Sequence, residues 1–241
     1  ELRFLDWKIF GRQDRLYIRQ YEEETNLRAH LLIDTSRSMG FKSGTLSKLE
    51  YACHCAAALA YLMIRQRDAV GLAVFDDQLR THISASNRRS QLHLILSHLD
   101  PLQPARGTAL AANLHLLAER LRRRGLLMLF SDLLDDPDQT LNALQHFRHK
   151  KHEIILFHLI DPAELDLPYS GVTRFRDMEG TREITLNPAL LREEYLRRLH
   201  AFIDRYRAEC SRLHIDYVQV NTQTPYDDFL SAYLVRRARF G

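Results

Sequence analysis

No apolar run in this 241-residue chain approaches the roughly 20 residues that a membrane-spanning helix needs. No spanning segment is therefore expected. Cysteine is scarce: there are three, Cys53, Cys55 and Cys210. The first two lie two apart in a predicted helix, so they point to different sides and suit neither a disulfide nor a zinc knuckle. This is the usage of a reducing compartment, and the first residues carry no secretory pattern, so the expected location is cytoplasmic. Net charge is small, +3 from 34 Lys and Arg against 31 Asp and Glu. Basic runs are short and local, as at Arg122-Arg123-Arg124 and Arg236-Arg237. They read as solvated faces or basic helix ends, because nucleic-acid binders carry denser patches interleaved with aromatics. Repeats, low-complexity tracts and interdomain linkers are missing too. What remains, 45% apolar residues, suffices for the core of one large α/β domain.

The common catalytic signatures are also absent. There is no Gly-x-x-x-x-Gly-Lys-Ser/Thr phosphate loop, no His-Glu-x-x-His and no Gly-x-Ser-x-Gly elbow. Asp34-Thr35-Ser36 is similar to the aspartic-protease element, but no second copy exists to form the dyad. The expectation is a protein that is not an enzyme. A Mg²⁺-dependent hydrolase of unrecognised type is one alternative. Nucleic-acid binding through the arginine-rich helix at 189–212 is another.

The stretch that stands out is Leu31-Leu32-Ile33-Asp34-Thr35-Ser36-Arg37-Ser38-Met39-Gly40. An apolar run, read as a buried central strand, ends abruptly in Asp-x-Ser-x-Ser. The polar residues then fall at the strand's carboxyl end, the edge where open α/β sheets bind ligands. Alternate residues of an extended segment share a direction, so Asp34, Ser36 and Ser38 are expected to converge while Thr35 and Arg37 face elsewhere. One carboxylate and two hydroxyls are hard oxygen donors suited to Mg²⁺, Mn²⁺ or Ca²⁺. The same residues can also simply cap a turn or the next helix. Two further segments bear on that choice. Gly107-Thr108 opens an apolar-periodic helix, and Asp132 follows the apolar run Leu126 to Ser131. If those runs are neighbouring parallel strands, Thr108 and Asp132 reach the same edge as Asp34.

Asp-x-Ser-x-Ser, a distant Thr and an Asp after a later strand together resemble the metal-ion-dependent adhesion site of the von Willebrand factor type A fold. The resemblance implies direct metal contacts for Ser36, Ser38 and Thr108, and contacts direct or through water for Asp34 and Asp132. The whole chain also resembles a bacterial domain-of-unknown-function family, number 58. The likeness rests on Leu5-Asp6-Trp7-Lys8, Gly11-Arg12, Arg19-Gln20-Tyr21-Glu22-Glu23-Glu24, Asp161-Pro162-Ala163-Glu164 and Phe175-x-Asp177-x-Glu179. It implies a von Willebrand A-like, doubly wound, mostly parallel sheet with one antiparallel strand. An N-terminal arm, residues 1–26, would pack on a main domain, residues 27–241, that carries an inserted β-hairpin. It further implies an adaptor or assembly role beside MoxR-type AAA+ ATPases, with the metal bridging to an Asp or Glu of a protein partner.

Local signals predict the remaining elements. Ser47-Lys48-Leu49-Glu50 is a capping box opening a helix that runs to about Arg67. Ala69 to Phe75 is a second buried strand, Asp76-Asp77 a turn, and Leu79 to Ser84 an antiparallel return strand. Ser86-Asn87 is expected to cap a helix that buries Leu92, Ile95, Leu96 and Leu99. Leu110, Leu114, Leu117 and Leu121 mark the next helix, which Gly125 is expected to stop. Asp136-Pro137 starts another. His146, His149 and His152 read as a basic helix end. A strand at 153–159 and a hairpin pairing Val172 to Met178 with Arg182 to Leu186 follow. A long helix after Asn187-Pro188 has Leu191, Tyr195, Leu199, Phe202 and Tyr206 inward. The strand Ile215 to Val220 and a helix docking through Phe229, Leu230 and Tyr233 complete the chain.

Overall fold

The computed structural model describes residues 27–105, 107–176 and 183–240, with side chains to Arg237. The arm at 1–26, its motifs and the hairpin tip with Asp177 and Glu179 lie outside the described residues.

Short apolar runs bounded by turn residues form the strands. They are β1 (Arg28–Asp34), β2 (Ala69–Phe75), β3 (Leu79–Ser86), β4 (Leu126–Ser131), β5 (Glu153–Ile160) and, near the end, β8 (Asp216–Asn221). They make one six-stranded sheet of order β3-β2-β1-β4-β5-β8, parallel except for β3 on the edge. A separate hairpin pairs β6 (Thr173–Arg176) with β7 (Glu183–Leu186). The helices are α1 (Lys48–Arg65), α2 (Arg89–Leu99), α3 (Leu110–Arg120), α4 (Pro137–His149), α5 (Pro162–Asp166), α6 (Arg192–Arg212) and α7 (Tyr226–Phe240). None of the helices among the described residues is long and apolar enough to cross a membrane.

The sheet is covered on both faces, which is why its inner strands are apolar on both sides. Leu31, Ile33, Met128 and Phe130 pack with α1, α2 and α7 on one face. Leu32, Leu127 and Leu129 pack with α3, α4 and α6 on the other. Phe130 and Phe157 stack at 4.6 Å, and Phe157 meets Tyr233 edge-on at 5.3 Å, so α7 docks through a run of rings. The chain leaves β1 toward β2 on one side and later returns to β4 on the other. Ile33 pairs with both Val74 and Phe130, so β1, β2 and β4 end level with one another. That shared carboxyl edge is the topological switch point, where open α/β sheets form their crevice.

Some local expectations change. Arg88, not Ser86 or Asn87, stands at the start of α2 and makes no side-chain cap. Gln91 is buried there, because its amide donates to the carbonyls of Val70 at 2.7 Å and Ser84 at 3.0 Å. Leu96 is left exposed. Gly125 does not end α3, which closes at Arg120. It lies so close to β1 that a Cβ would overlap the Arg28 carbonyl. Leu191 is exposed, because α6 begins only after a 3-10 turn at Pro188–Leu190. Five of the arginines of α6 are engaged: Arg197 and Arg198 pair with Glu194, Arg205 with Asp138, Arg207 with Asp204 and Arg212 with Glu209. The face is a solvated charge lattice instead of a free basic stripe.

At the opposite edge of the sheet His30 is buried in β1. Burial, then the nearby His152, His82 and Arg28, lowers its pKa from 6.5 to about 4. The unfolded chain therefore takes up this proton first. Stability is full above pH 6.5 and declines as pH falls through the window toward 4. The loss attributable to His30 reaches about 3 kcal/mol at the acid end. Urea midpoints at pH 7 and pH 5 are expected to differ less in His30→Asn than in the natural protein. Equal differences would mean that His30 does not carry that slope.

Candidate functional site

The carboxyl ends of β1 and β4 gather the polar residues. The Asp34 Oδ1 atom accepts from the Ser36 amide at 2.8 Å, an Asx turn that swings the chain out of the strand. The segment then closes into a 3-10 turn, Arg37–Gly40, in place of the extended run expected. The outcome matches the expectation while its cause differs: the turn brings the Ser36 and Ser38 hydroxyls within 3.2 Å of each other. Thr35 faces the sheet and donates to the Phe75 carbonyl at 3.0 Å. Arg37 is exposed. Asp34, Ser36, Ser38 and Asp132 are all buried.

The other Asp34 oxygen, Oδ2, accepts from the Ser131 hydroxyl at 2.6 Å. Ser131 in turn accepts from the Leu133 amide at 2.9 Å. This last residue of β4 thus ties the two strand ends together. Its signal in the sequence was a hydroxyl closing an otherwise apolar strand. Leu133, just beyond Asp132, holds a left-handed backbone, φ 58°, with its side chain fully buried. Such a conformation costs on the order of 1 kcal/mol and persists where packing over-determines it.

Asp132 has a partner that its place in the sequence does not foretell. Lys48, the first residue of α1, is fully buried, and its ammonium donates to Asp132 Oδ2 at 2.8 Å and to Glu164 Oε1 at 2.7 Å. Burial alone would lower the Lys48 pKa, but the two carboxylates more than reverse it, and the group stays charged. The capping box is present as expected: Glu50 accepts from the Ser47 amide and Ser47 from the Glu50 amide. The lysine inside it was legible only as a helix former. A second such box, Asp161 with Glu164, opens α5 and aims Glu164 back at Lys48. Asp161 also accepts from the Ser43 amide at 2.8 Å and from the Ser43 hydroxyl, pinning the loop before α1.

Below Asp132 lies His158, buried, with its pKa lowered to about 4 chiefly by that burial. A neutral ring fits its two bonds: Nε2 donates to the Asp132 carbonyl at 3.1 Å, and Nδ1 accepts from the Tyr217 hydroxyl at 2.6 Å. The ring fixes the backbone that presents Asp132.

Thr108 arrives by backbone ties on either side. The Ala105 amide donates to the Thr35 carbonyl at 2.8 Å, and the Ala109 amide to the Asp76 carbonyl at 3.2 Å. These bonds lay the loop across the ends of β1 and β2 and leave Thr108 half-buried at the same edge. No hydrogen bond joins the Thr108 hydroxyl to Asp34, Ser36, Ser38 or Asp132. Asp76 is occupied otherwise, accepting from the Gln78 amide at 3.0 Å and from Arg80 at 2.8 Å, so it serves the turn as expected.

The donor chemistry at this edge is oxygen throughout. Among the described residues no group of three or more His, Cys, Asp and Glu is arranged to hold a metal. The set here is mixed, with hydroxyls beside two carboxylates. Burial, and next the Asp132 carboxylate, raises the Asp34 carboxyl well above the usual range, against the pull of Ser131 and Ser36. Two buried carboxylates share the edge, and Lys48 reaches only one of them. Hard oxygen donors short of positive charge fit Mg²⁺, Mn²⁺ or Ca²⁺.

The fold is similar to that of the conserved hypothetical protein BatB from Bacteroides thetaiotaomicron, with a TM-score of 0.59 and 18% identity over 88% of this chain and 99% of that one. It is also similar to an aerotolerance-related membrane protein from Bacteroides fragilis, with a TM-score of 0.57 and 18% identity over 81% and 92% of the two chains. Uncharacterized proteins of Mycobacterium tuberculosis and Mycobacterium bovis are 28% identical to it over 218 residues, 88% of this chain. The chain spans 66% of the length of those relatives. The model of the family described as "Protein of unknown function DUF58" matches residues 1–202, most of the chain, and the protein belongs to that family.

Proposed function

We propose that the protein is a divalent-metal-dependent protein-interaction module. The observation that carries this reading is the paired Ser36 and Ser38 hydroxyls, 3.2 Å apart and buried beside two carboxylates. Ser36, Ser38 and Thr108 would hold the ion directly. Asp34, whose two oxygens already accept from Ser36 and Ser131, and Asp132 would support it directly or through water. When bound, Mg²⁺ (or Mn²⁺ or Ca²⁺) supplies the positive charge that lets a partner's Asp or Glu leave water for this edge. The chain's own residues do the rest. Ser131 and His158 set the two strand ends, and Lys48 holds Asp132.

The reading is non-catalytic. Among the described residues neither Ser36 nor Ser38 meets a histidine or lysine that could act as its base. Nucleic-acid binding through α6 is disfavoured, because Arg197, Arg198, Arg205, Arg207 and Arg212 are already paired with acids. A MoxR-type AAA+ ATPase is the partner class proposed, by family resemblance, in the cytoplasm.

The test is titration of Mg²⁺ and Mn²⁺ into chelator-stripped protein, beside Ser38→Ala. One ion per chain is expected, with affinity about 10–100-fold weaker in the variant. A MoxR-type ATPase should then be retained on immobilised protein in Mg²⁺ and released by EDTA. Retention that ignores both EDTA and Ser38→Ala would defeat the metal-bridge reading.

A further inference from the structure

Beside the metal edge lies a cleft of about 570 Å³ that none of the proposed metal ligands lines. One wall is the hairpin, where Phe175 faces Ile184 across the strands. The other wall comes from α5 and the start of α6, through Leu167, Leu191 and Tyr195. The near end is Phe41, which follows directly on the 3-10 turn carrying Ser38. Apolar side chains stay open to solvent here: Ile184 is 57% and Leu191 49% exposed. A two-stranded hairpin is marginal by itself, so an uncovered apolar face on one is costly unless something completes it.

The cleft and the metal edge are joined by one side chain. The Lys48 ammonium is 2.8 Å from Asp132 and 5.9 Å from the centre of the Phe41 ring. Its other partner, Glu164, lines the cleft. An extended peptide advances roughly 3.3 Å per residue, so a segment with its carboxylate at the metal enters the cleft within about two to four residues. The rim favours an acidic segment. Arg174 and Arg176 are both largely exposed and share one acid among the described residues, Glu183, at 3.9 and 3.7 Å.

We propose that the hairpin cleft is the second half of the partner site. It would take a large apolar side chain of the same acidic peptide segment whose Asp or Glu meets the metal. This rests on the metal-bridge reading and narrows it. The partner motif is a carboxylate and a Phe- or Leu-sized residue a few positions apart.

The probes are short fluorescent peptides with one central Glu and a Phe two, three or four residues to either side, each with a Phe-to-Ser twin. Binding is read by fluorescence anisotropy in Mg²⁺ and in EDTA, on the natural protein, on Leu191→Glu and on Ser38→Ala. At least one Phe peptide is expected to bind about tenfold or more tightly than its Ser twin. That ratio should persist, at weaker affinity, in EDTA and in Ser38→Ala, and collapse in Leu191→Glu. Leu191 is half exposed, so an unchanged thermal midpoint is expected for that variant. Phe and Ser twins that bind equally well, and only in Mg²⁺, would overturn the cleft while leaving the metal reading in place. A Phe preference with no Mg²⁺ effect would support the cleft and remove the metal from it. No binding to any peptide at millimolar concentration overturns both. If sedimentation shows a dimer that Leu191→Glu dissolves, the cleft holds a second copy of this chain and the peptide assignment fails.

Discussion

Replacing Lys48 with Met is expected to destabilise the protein by about 3–5 kcal/mol at neutral pH in EDTA. The ammonium is fully buried and lies within 2.8 Å of two carboxylates, those of Asp132 and Glu164. Methionine nearly fills the space, so the loss is electrostatic: Asp132 is left buried without its counter-charge. The triple variant Lys48→Met, Asp132→Asn, Glu164→Gln should recover much of the loss, because neutral groups can be buried more cheaply than unpaired charges. Urea unfolding of the single and triple variants checks both statements. The single variant should also respond to Mg²⁺ more than the natural protein does, since a bound dication would stand in for the missing charge. A single-variant loss below about 1 kcal/mol would mean that the ammonium does not hold this edge together.

Asp34→Asn separates binding from stability. Its carboxylate shares the buried edge with Asp132 and is raised by that neighbour as well as by burial. Removing one of two like charges is therefore expected to leave the metal-free protein at pH 8 as stable as before, or more so. The same change takes away charge that a cation needs, and Mg²⁺ affinity should fall about 100-fold. Calorimetric titration and urea unfolding on one preparation give both numbers. An Mg²⁺ dissociation constant within a few-fold of the natural protein's would remove Asp34 from the metal set. A large stability loss would show instead that the residue serves mainly to tie β1 to Ser131.

Much of the fold was legible because its signals are local. Runs such as Ala69–Phe75 and Leu126–Ser131 are too short and too apolar for anything but buried strands, and their bounds were read nearly to the residue. Ser47 with Glu50 and Asp136 with Pro137 mark helix starts through bonds made within one turn. Misreadings fell where a distant element decided the outcome. Gln91 outranks Leu96 for burial because two strand carbonyls wait above it. Gly125 looked like a helix stop and is a point of close approach to Arg28. Leu191 sits on the apolar register of α6 yet lies exposed in the cleft wall.

The same division runs through the candidate site. Asp34, Ser36 and Ser38 belong to one loop, so residue types and nearness in the chain made their meeting legible, although a 3-10 turn and not an extended run brings it about. That Asp132 ends level with them was an inference about strand order, and pairing Ile33 with Phe130 brings it about. Lys48 against Asp132 and Glu164, Ser131 against Asp34, and His158 under Asp132 span 26 to 116 residues of chain. No periodicity or local propensity encodes such contacts. They arise because a doubly wound sheet brings several strand ends to one edge, and buried charge and hydrogen-bonding groups there must find partners. The sequence by itself determined which elements form and which loop carries the oxygen donors. The tertiary structure alone decided which buried charge balances which, and that an open apolar cleft adjoins them.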